Sequence, residues 1–170
     1  MGDTYATSGI RDLAAGVGRG LLARRWRVAA AESCTGGGVA AALTDIPGSS
    51  QWFERGYVSY SNLAKQQDLG VSANTLEVHG AVSSAVVLEM AAGALRASGA
   101  DLALAVSGVA GPDGGTAAKP VGLVWFALAQ RGASSRSEMR HFPGDRAAVR
   151  LAAVHRALEL INAAAADPGS

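Results

Sequence analysis

The chain has 170 residues, 49% hydrophobic and 17% charged, a composition that builds one domain with a real core and excludes a disordered chain. With 15 basic side chains against 14 acidic ones the formal net charge is +1, so no basic excess calls for nucleic acid or a membrane surface as a partner. Cys34 is the single cysteine, which excludes an intramolecular disulfide and a cysteine-based metal cluster. Residues 1–9 lack the basic and apolar regions of a secretory signal, and no apolar run reaches the roughly 18–20 residues that span a bilayer. The expectation is a soluble, cytoplasmic protein.

In chain order, residues 1–9 are polar and expected to fray. From Ile10, apolar residues recur at Leu13, Ala14, Val17, Leu21 and Leu22, which is helical spacing. Gly16, Gly18 and Gly20 either weaken that helix or let another backbone pack closely. Arg27–Glu32 reads as a first strand, Gly36–Leu43 as a short helix, and Pro47–Ser50 as a turn. Trp52–Tyr60 is a second strand, after which Ser61-Asn62 opens a short helix that Gly70 ends. Ser72–His79 is another helical piece. Ser83 or Ser84 caps a longer helix with Val86, Val87, Met90, Ala91, Ala94 and Leu95 on its apolar side, closed by Ser98-Gly99.

Leu102–Val106 is short and wholly apolar, as a buried central strand is. Beyond a Gly/Pro-rich loop from Gly108 to Pro120, Val121–Ala129 and Arg136–Phe142 form a fourth and a fifth strand. The reversal between them is so short that they must run antiparallel. Asp145–Ala164 is a long amphipathic helix, and Asp167–Ser170 a tail. Strands separated by helices demand crossovers and a sheet covered on both faces. The expected fold is therefore a single α/β domain, three-layer α/β/α, with a mixed, mostly parallel five-stranded sheet ordered over about residues 10–163.

Three segments carry candidate chemistry: Ala31–Gly38, Gly56–Lys65 and Ser107–Pro120. Each follows the carboxyl end of a strand, the edge at which ligands of open α/β sheets gather. Ala31-Glu-Ser-Cys-Thr-Gly-Gly-Gly38 offers a nucleophile in Ser33, a second hydroxyl in Thr35, a thiol in Cys34, a carboxylate in Glu32 and glycine amides able to face an anion. A serine needs a base. His79, His141 and His155 are isolated and have no zinc-ligand spacing, so neither a histidine base nor a metal is expected. The chain keeps two lysines, Lys65 and Lys119, against thirteen arginines, and only lysine can be tuned to act as a base. Lys65 is then either an exposed helical lysine or the partner of Ser33, with Tyr60 either a half-buried strand aromatic or an intervening hydroxyl. The long glycine loop is either a turn or a binding loop in which Asp113 and Thr116 supply polar contacts. It is no Walker loop, because Lys119 lacks the preceding Gly and the following Ser/Thr.

Six pieces in order resemble the CinA C-terminal domain family, whose stand-alone, PncC-type members are nicotinamide-nucleotide amidases. They are Glu32-Ser-Cys-Thr-Gly-Gly37, Leu43-Thr-Asp-Ile-Pro-Gly-Ser-Ser50, Tyr60-Ser-Asn-Leu-Ala-Lys65, Gly80-Ala-Val-Ser83, Gly108–Thr116 with Lys119-Pro-Val-Gly122, and Phe142-Pro-Gly-Asp-Arg146. The resemblance implies an anticodon-binding-domain-like fold and cofactor-free hydrolysis of the carboxamide of nicotinamide mononucleotide, to nicotinic acid mononucleotide and ammonia, in pyridine nucleotide salvage. It makes Ser33 the nucleophile, Lys65 the general base and Tyr60 a proton relay or orienting hydroxyl. Amides around Thr35, Gly36 and Gly37 would form the oxyanion hole. Asn62, Gly111, Asp113, Gly115, Thr116 and Arg146 would bind the substrate. An arginine at the start of a helix gains nothing from the helix dipole, which favours a ligand for Arg146. Two positions depart from the family's usual pattern: Leu63, where an acidic or polar residue is usual, and Gly38, where a bulkier apolar one is. The other readings are a catalytically silent nucleotide-binding module serving competence or damage responses, and nucleic-acid binding, which the charge balance disfavours. The expected partner is a small nucleotide, with no membrane, and a homodimer is the base-rate assembly.

Overall fold

The structure is a computed structural model and describes residues 7–166. The remaining residues of the N-terminal stretch and the tail from Asp167 lie outside the described residues. The elements are α1 (Thr7–Arg24), β1 (Val28–Glu32), α2 (Gly38–Thr44), β2 (Phe53–Val58), α3 (Asn62–Leu69), α4 (Ala73–His79), α5 (Ser84–Ser98), β3 (Leu102–Gly108), β4 (Leu123–Gln130), β5 (Arg136–His141) and α6 (Arg146–Ala166). Local chemistry sets most of these boundaries. The side chains of Ser61, Ser72 and Ser83 accept the amides of Ala64, Thr75 and Val86 at the starts of α3, α4 and α5. Gly70 and Gly99 end α3 and α5 in the left-handed conformation. Asp145 caps α6, its side chain accepting Ala148 N at 2.9 Å.

The sheet order is β2-β1-β3-β4-β5. β1 pairs parallel with β2 and β3, while β3–β4 and β4–β5 pair antiparallel, so only β4 runs against the rest. β4 starts at Leu123 because Val121 is used elsewhere: it packs inside the preceding loop, where a Cβ on Gly111 would meet its side chain at 2.6 Å.

Strand alternation splits the core. Val28, Ala30, Leu102, Leu104, Val106, Val124, Phe126 and Leu128 face α1, α2 and α6. The other face is almost all alanine: Ala29, Ala31, Ala103, Ala105, Ala127 and Ala129 pack under α5. Small residues bring α5 close to the sheet, and α3 in turn lies against α5 at Gly93. A Cβ on Gly93 would fall 1.8 Å from Leu69 O, so no side chain fits without moving α3. Gly93→Ala should therefore destabilise the fold by about 3 kcal/mol or more, measured by urea unfolding. A change within about 0.5 kcal/mol would show that α3 is free to shift.

On the other face α1 is also closely packed, against Trp52 and α6. Gly18 lies under Trp52 and Gly20 against Ala165, where added Cβ atoms would stand 2.9 and 3.0 Å from the nearest atoms. The glycines of α1 are thus packing positions.

Candidate active site

From β1 the chain passes to β2 on one side and then to β3 on the other, so the crevice beyond the carboxyl end of β1 is the switch point at which such sheets bind ligands. Ser33 follows β1 directly. Its amide donates to Val106 O at 3.0 Å, extending the ladder by one residue. Alternation then directs Glu32 toward α2 and Ser33 toward α3.

Lys65 lies one turn into α3 and is 1% exposed. Its Nζ stands 3.0 Å from Ser33 Oγ, 2.9 Å from Ser59 O and 3.1 Å from Tyr60 O. The two carbonyls can only accept, so each takes an N–H. In a neutral amine the remaining tetrahedral position is a lone pair, and it faces the Ser33 hydroxyl. Burial pushes the Lys65 ammonium below the usual lysine range, with Cys34 pulling weakly the other way. No carboxylate pairs with it among the described residues. The arrangement is that of a serine beside an oriented base.

Glu32 is 1% exposed and organises the turn. It accepts Thr35 Oγ1 at 2.6 Å and the amides of Gly37, Val39 and Ala40 at 3.1, 3.0 and 2.8 Å. It therefore secures the start of α2, and none of these hydrogen bonds goes to Lys65. Two of the three amides read from sequence as oxyanion donors are spoken for: Gly37 N by Glu32, and Gly36 N by Ser33 O at 3.0 Å. Thr35 N alone of the three has no acceptor among the described residues. Glu32→Gln would turn an N–H toward amides that need an acceptor and should destabilise the fold by roughly 2–4 kcal/mol in urea unfolding. A loss under about 0.5 kcal/mol would contradict this role.

Arg150 on α6 grips the outer side of the same turn, Nε donating to Cys34 O at 3.2 Å and an η nitrogen to Thr35 O at 3.1 Å. Because Cys34 O and Thr35 N belong to one trans peptide, holding the carbonyl toward α6 points the Thr35 N–H the opposite way. Cys34 is buried, and burial pushes its thiol up to about 11, so it stays protonated at neutral pH. The three histidines line no part of the cavity beside Ser33. No cluster of three or more His, Cys, Asp or Glu able to hold a metal occurs among the described residues.

That cavity has a volume of about 310 Å³ and joins the ends of β1, β2 and β3, its lining including Ser33, Tyr60, Lys65, Ala81, Ser107, Gly111, Asp113 and Arg146. Tyr60 enters it twice. Its carbonyl accepts from Lys65, while its hydroxyl, on a side chain at the mouth, accepts Arg146 at 3.1 Å. Arg146 also donates to Gly111 O at 2.8 Å, tying the start of α6 to the glycine loop. Of the other expected substrate-binding residues, Asn62 is exposed at the start of α3 and lines no part of the cavity. Gly115 and Thr116 shape the loop instead: a Cβ on Gly115 would stand 2.9 Å from Val121 N, and Thr116 Oγ1 accepts Lys119 N at 3.0 Å. Lys119 Nζ donates to His79 O, latching the loop to the end of α4. Arg150 is not among the residues the sequence singles out, and Ser107 enters there only as the first residue of its segment, with no role. Their partners, Cys34 O and Thr35 O for Arg150 and Ala81 O for Ser107, lie far away in the chain.

The sequence profile of the CinA C-terminal domain matches residues 10–165. The chain belongs to this family. Over 144 residues it is 56% identical to the nicotinamide-nucleotide amidohydrolase PncC of Enterobacter agglomerans, covering 85% of this chain and 88% of that protein. It is 54% identical over 154 residues to the PncC of Escherichia coli, covering 91% and 93%. Among solved structures, the competence damage-inducible protein A of Klebsiella pneumoniae superposes with a TM-score of 0.90 at 44% identity, covering 94% of this chain and 99% of that one. The five-stranded α/β architecture is thus the family's. At the two departures noted in the sequence, Gly38 packs against Val154, which a Cβ would meet at 2.9 Å, and Leu63 is exposed at 60%.

Proposed function

We propose that the protein hydrolyses the carboxamide of nicotinamide mononucleotide to nicotinic acid mononucleotide and ammonia, as a step of pyridine nucleotide salvage. The carrying observation is Lys65 Nζ, buried, held by two carbonyls and 3.0 Å from Ser33 Oγ within the cavity. The names of the PncC relatives support the substrate.

Neutral Lys65 takes the Ser33 proton as Oγ attacks the carboxamide carbon. The oxyanion that forms accepts the Thr35 amide, a preorganised donor of the kind typically worth about 10²–10³ in rate. The C–N bond then breaks, and the Lys65 ammonium gives its proton to the departing nitrogen, leaving ammonia and an ester on Ser33. Water attacks that ester with Lys65 again as base, and the ester oxygen returns to Ser33 with the proton. Arg146 holds the phosphate end, with Tyr60 and Gly111 O orienting its guanidinium at the mouth. The reaction needs no cofactor in this scheme.

Ammonia release and chromatography of the nucleotide after incubation with nicotinamide mononucleotide test the reading. Stoichiometric ammonia and acid are expected. Thermal stabilisation by the nucleotide with no product after prolonged incubation would mean a binding module instead. No helix among the described residues is long and apolar enough to cross a membrane. A cytoplasmic homodimer is the assembly we propose, testable by sedimentation.

A further inference from the structure

Ser107 lies at the carboxyl end of β3, one step past the Glu32–Val106 register pair. Ser33 is one step past the same pair on the neighbouring strand, and parallel strands lie about 4.8 Å apart. The alternation that sends Ala103 and Ala105 toward α5 sends Ser107 there too, beside Ser33, and both side chains line the cavity. Ser107 is 1% exposed, and its Oγ donates to Ala81 O at 2.9 Å. A hydroxyl has one proton, and this one is held by a carbonyl that can only accept. Toward the cavity Ser107 therefore presents lone pairs alone.

We propose that Ser107 is a specificity-determining residue that accepts an N–H of the substrate's primary carboxamide. This inference rests on the amidase reading above. A carboxamide is planar and nearly symmetric in shape, so something must decide which end meets the Thr35 amide. With its oxygen toward Thr35 N–H and its nitrogen toward Ser107, both ends are satisfied. Turned by half a rotation, it sets N–H against N–H and oxygen against lone pair. The carboxylate product has no N–H for Ser107, so the same oxygen that orients the substrate disfavours the product. A site that meets a donor with a fixed acceptor rejects analogues lacking the donor.

The test compares nicotinamide mononucleotide with the methyl ester of nicotinic acid mononucleotide, in which OCH3 replaces NH2 and no N–H is offered, in the wild type, Ser107→Ala and Ser107→Thr. Ser107→Ala is expected to lower kcat/KM for the amide by about 10–100-fold while changing the ester less than about threefold. The inhibition constant of the acid product, relative to the KM of the amide, should fall in the same variant. Ser107→Thr keeps the hydroxyl and should keep the wild-type ratio of amide to ester. The ratio is insensitive to a partly unfolded sample, since both substrates report on the same folded fraction. An equal loss on amide and ester in Ser107→Ala overturns the proposal. A wild type that fails to release ammonia from the amide overturns the amidase reading itself.

Discussion

Ser33→Ala should reduce ammonia release from nicotinamide mononucleotide by about 10⁴-fold or more, with the fold intact. The size follows from what is lost: without Oγ there is no covalent intermediate, and Lys65 has no hydroxyl to activate. The rest of the cavity is untouched, so the nucleotide should still bind with an affinity close to that of the wild type. The side chain is small and nearly buried, and its removal strips Lys65 of one of three partners while both carbonyl contacts remain. The thermal midpoint should thus move little. Calorimetric titration of the variant with the nucleotide, beside the ammonia assay, separates binding from chemistry. Activity within about tenfold of wild type would remove Ser33 from the mechanism.

Lys65→Met should lose about 10²–10⁴ in kcat/KM, the usual contribution of a positioned base. The length of the side chain is kept, but the carbonyls of Ser59 and Tyr60 lose their donor. The pH dependence carries more information than the loss. The active form is the neutral amine, so wild-type kcat/KM should rise with pH through the depressed folded-state pKa of Lys65 and level off above it. Linkage gives a second sign. Between that folded pKa and the ordinary lysine value near 10.5 the unfolded chain binds more protons than the native one, so the Lys65 contribution to stability rises with pH there. Below the folded pKa the full penalty of the buried charge applies. Lys65→Met should lack this rise in urea-unfolding series run across the interval; an identical pH dependence in both proteins would contradict it.

The architecture was legible because its signals are local. Serine caps and terminal glycines sit next to the helices they bound, and the apolar run of β3 is continuous in sequence. The short reversal at Arg131-Gly132 forces the β4–β5 hairpin. The direction of β4 against β3 was not legible, since a long loop joins them and permits either sense. The chemistry divides the same way. Ser33, Lys65 and the glycine loop were found because each follows a strand end, and alternation plus the α3 cap brings the first two within hydrogen-bond reach. What the sequence hides is how polar groups are satisfied. Glycine amides that look free are taken by Glu32 and Ser33 O; Thr116 closes a turn; Arg150 and Ser107 act through carbonyls 116 and 26 residues away in the chain. Such partnerships are decided by packing across layers, which residue types alone do not specify.

If Lys65 is the neutral base of Ser33, its own titration must show it. Nitrogen-15 NMR of the Lys65 side chain, assigned by comparison with Lys65→Met, gives its pKa in the free enzyme. The pH profile of kcat/KM reports the same state. The two midpoints should coincide, below the usual lysine value. A Lys65 that remains an ammonium through the pH range in which the enzyme gains its activity would contradict that role.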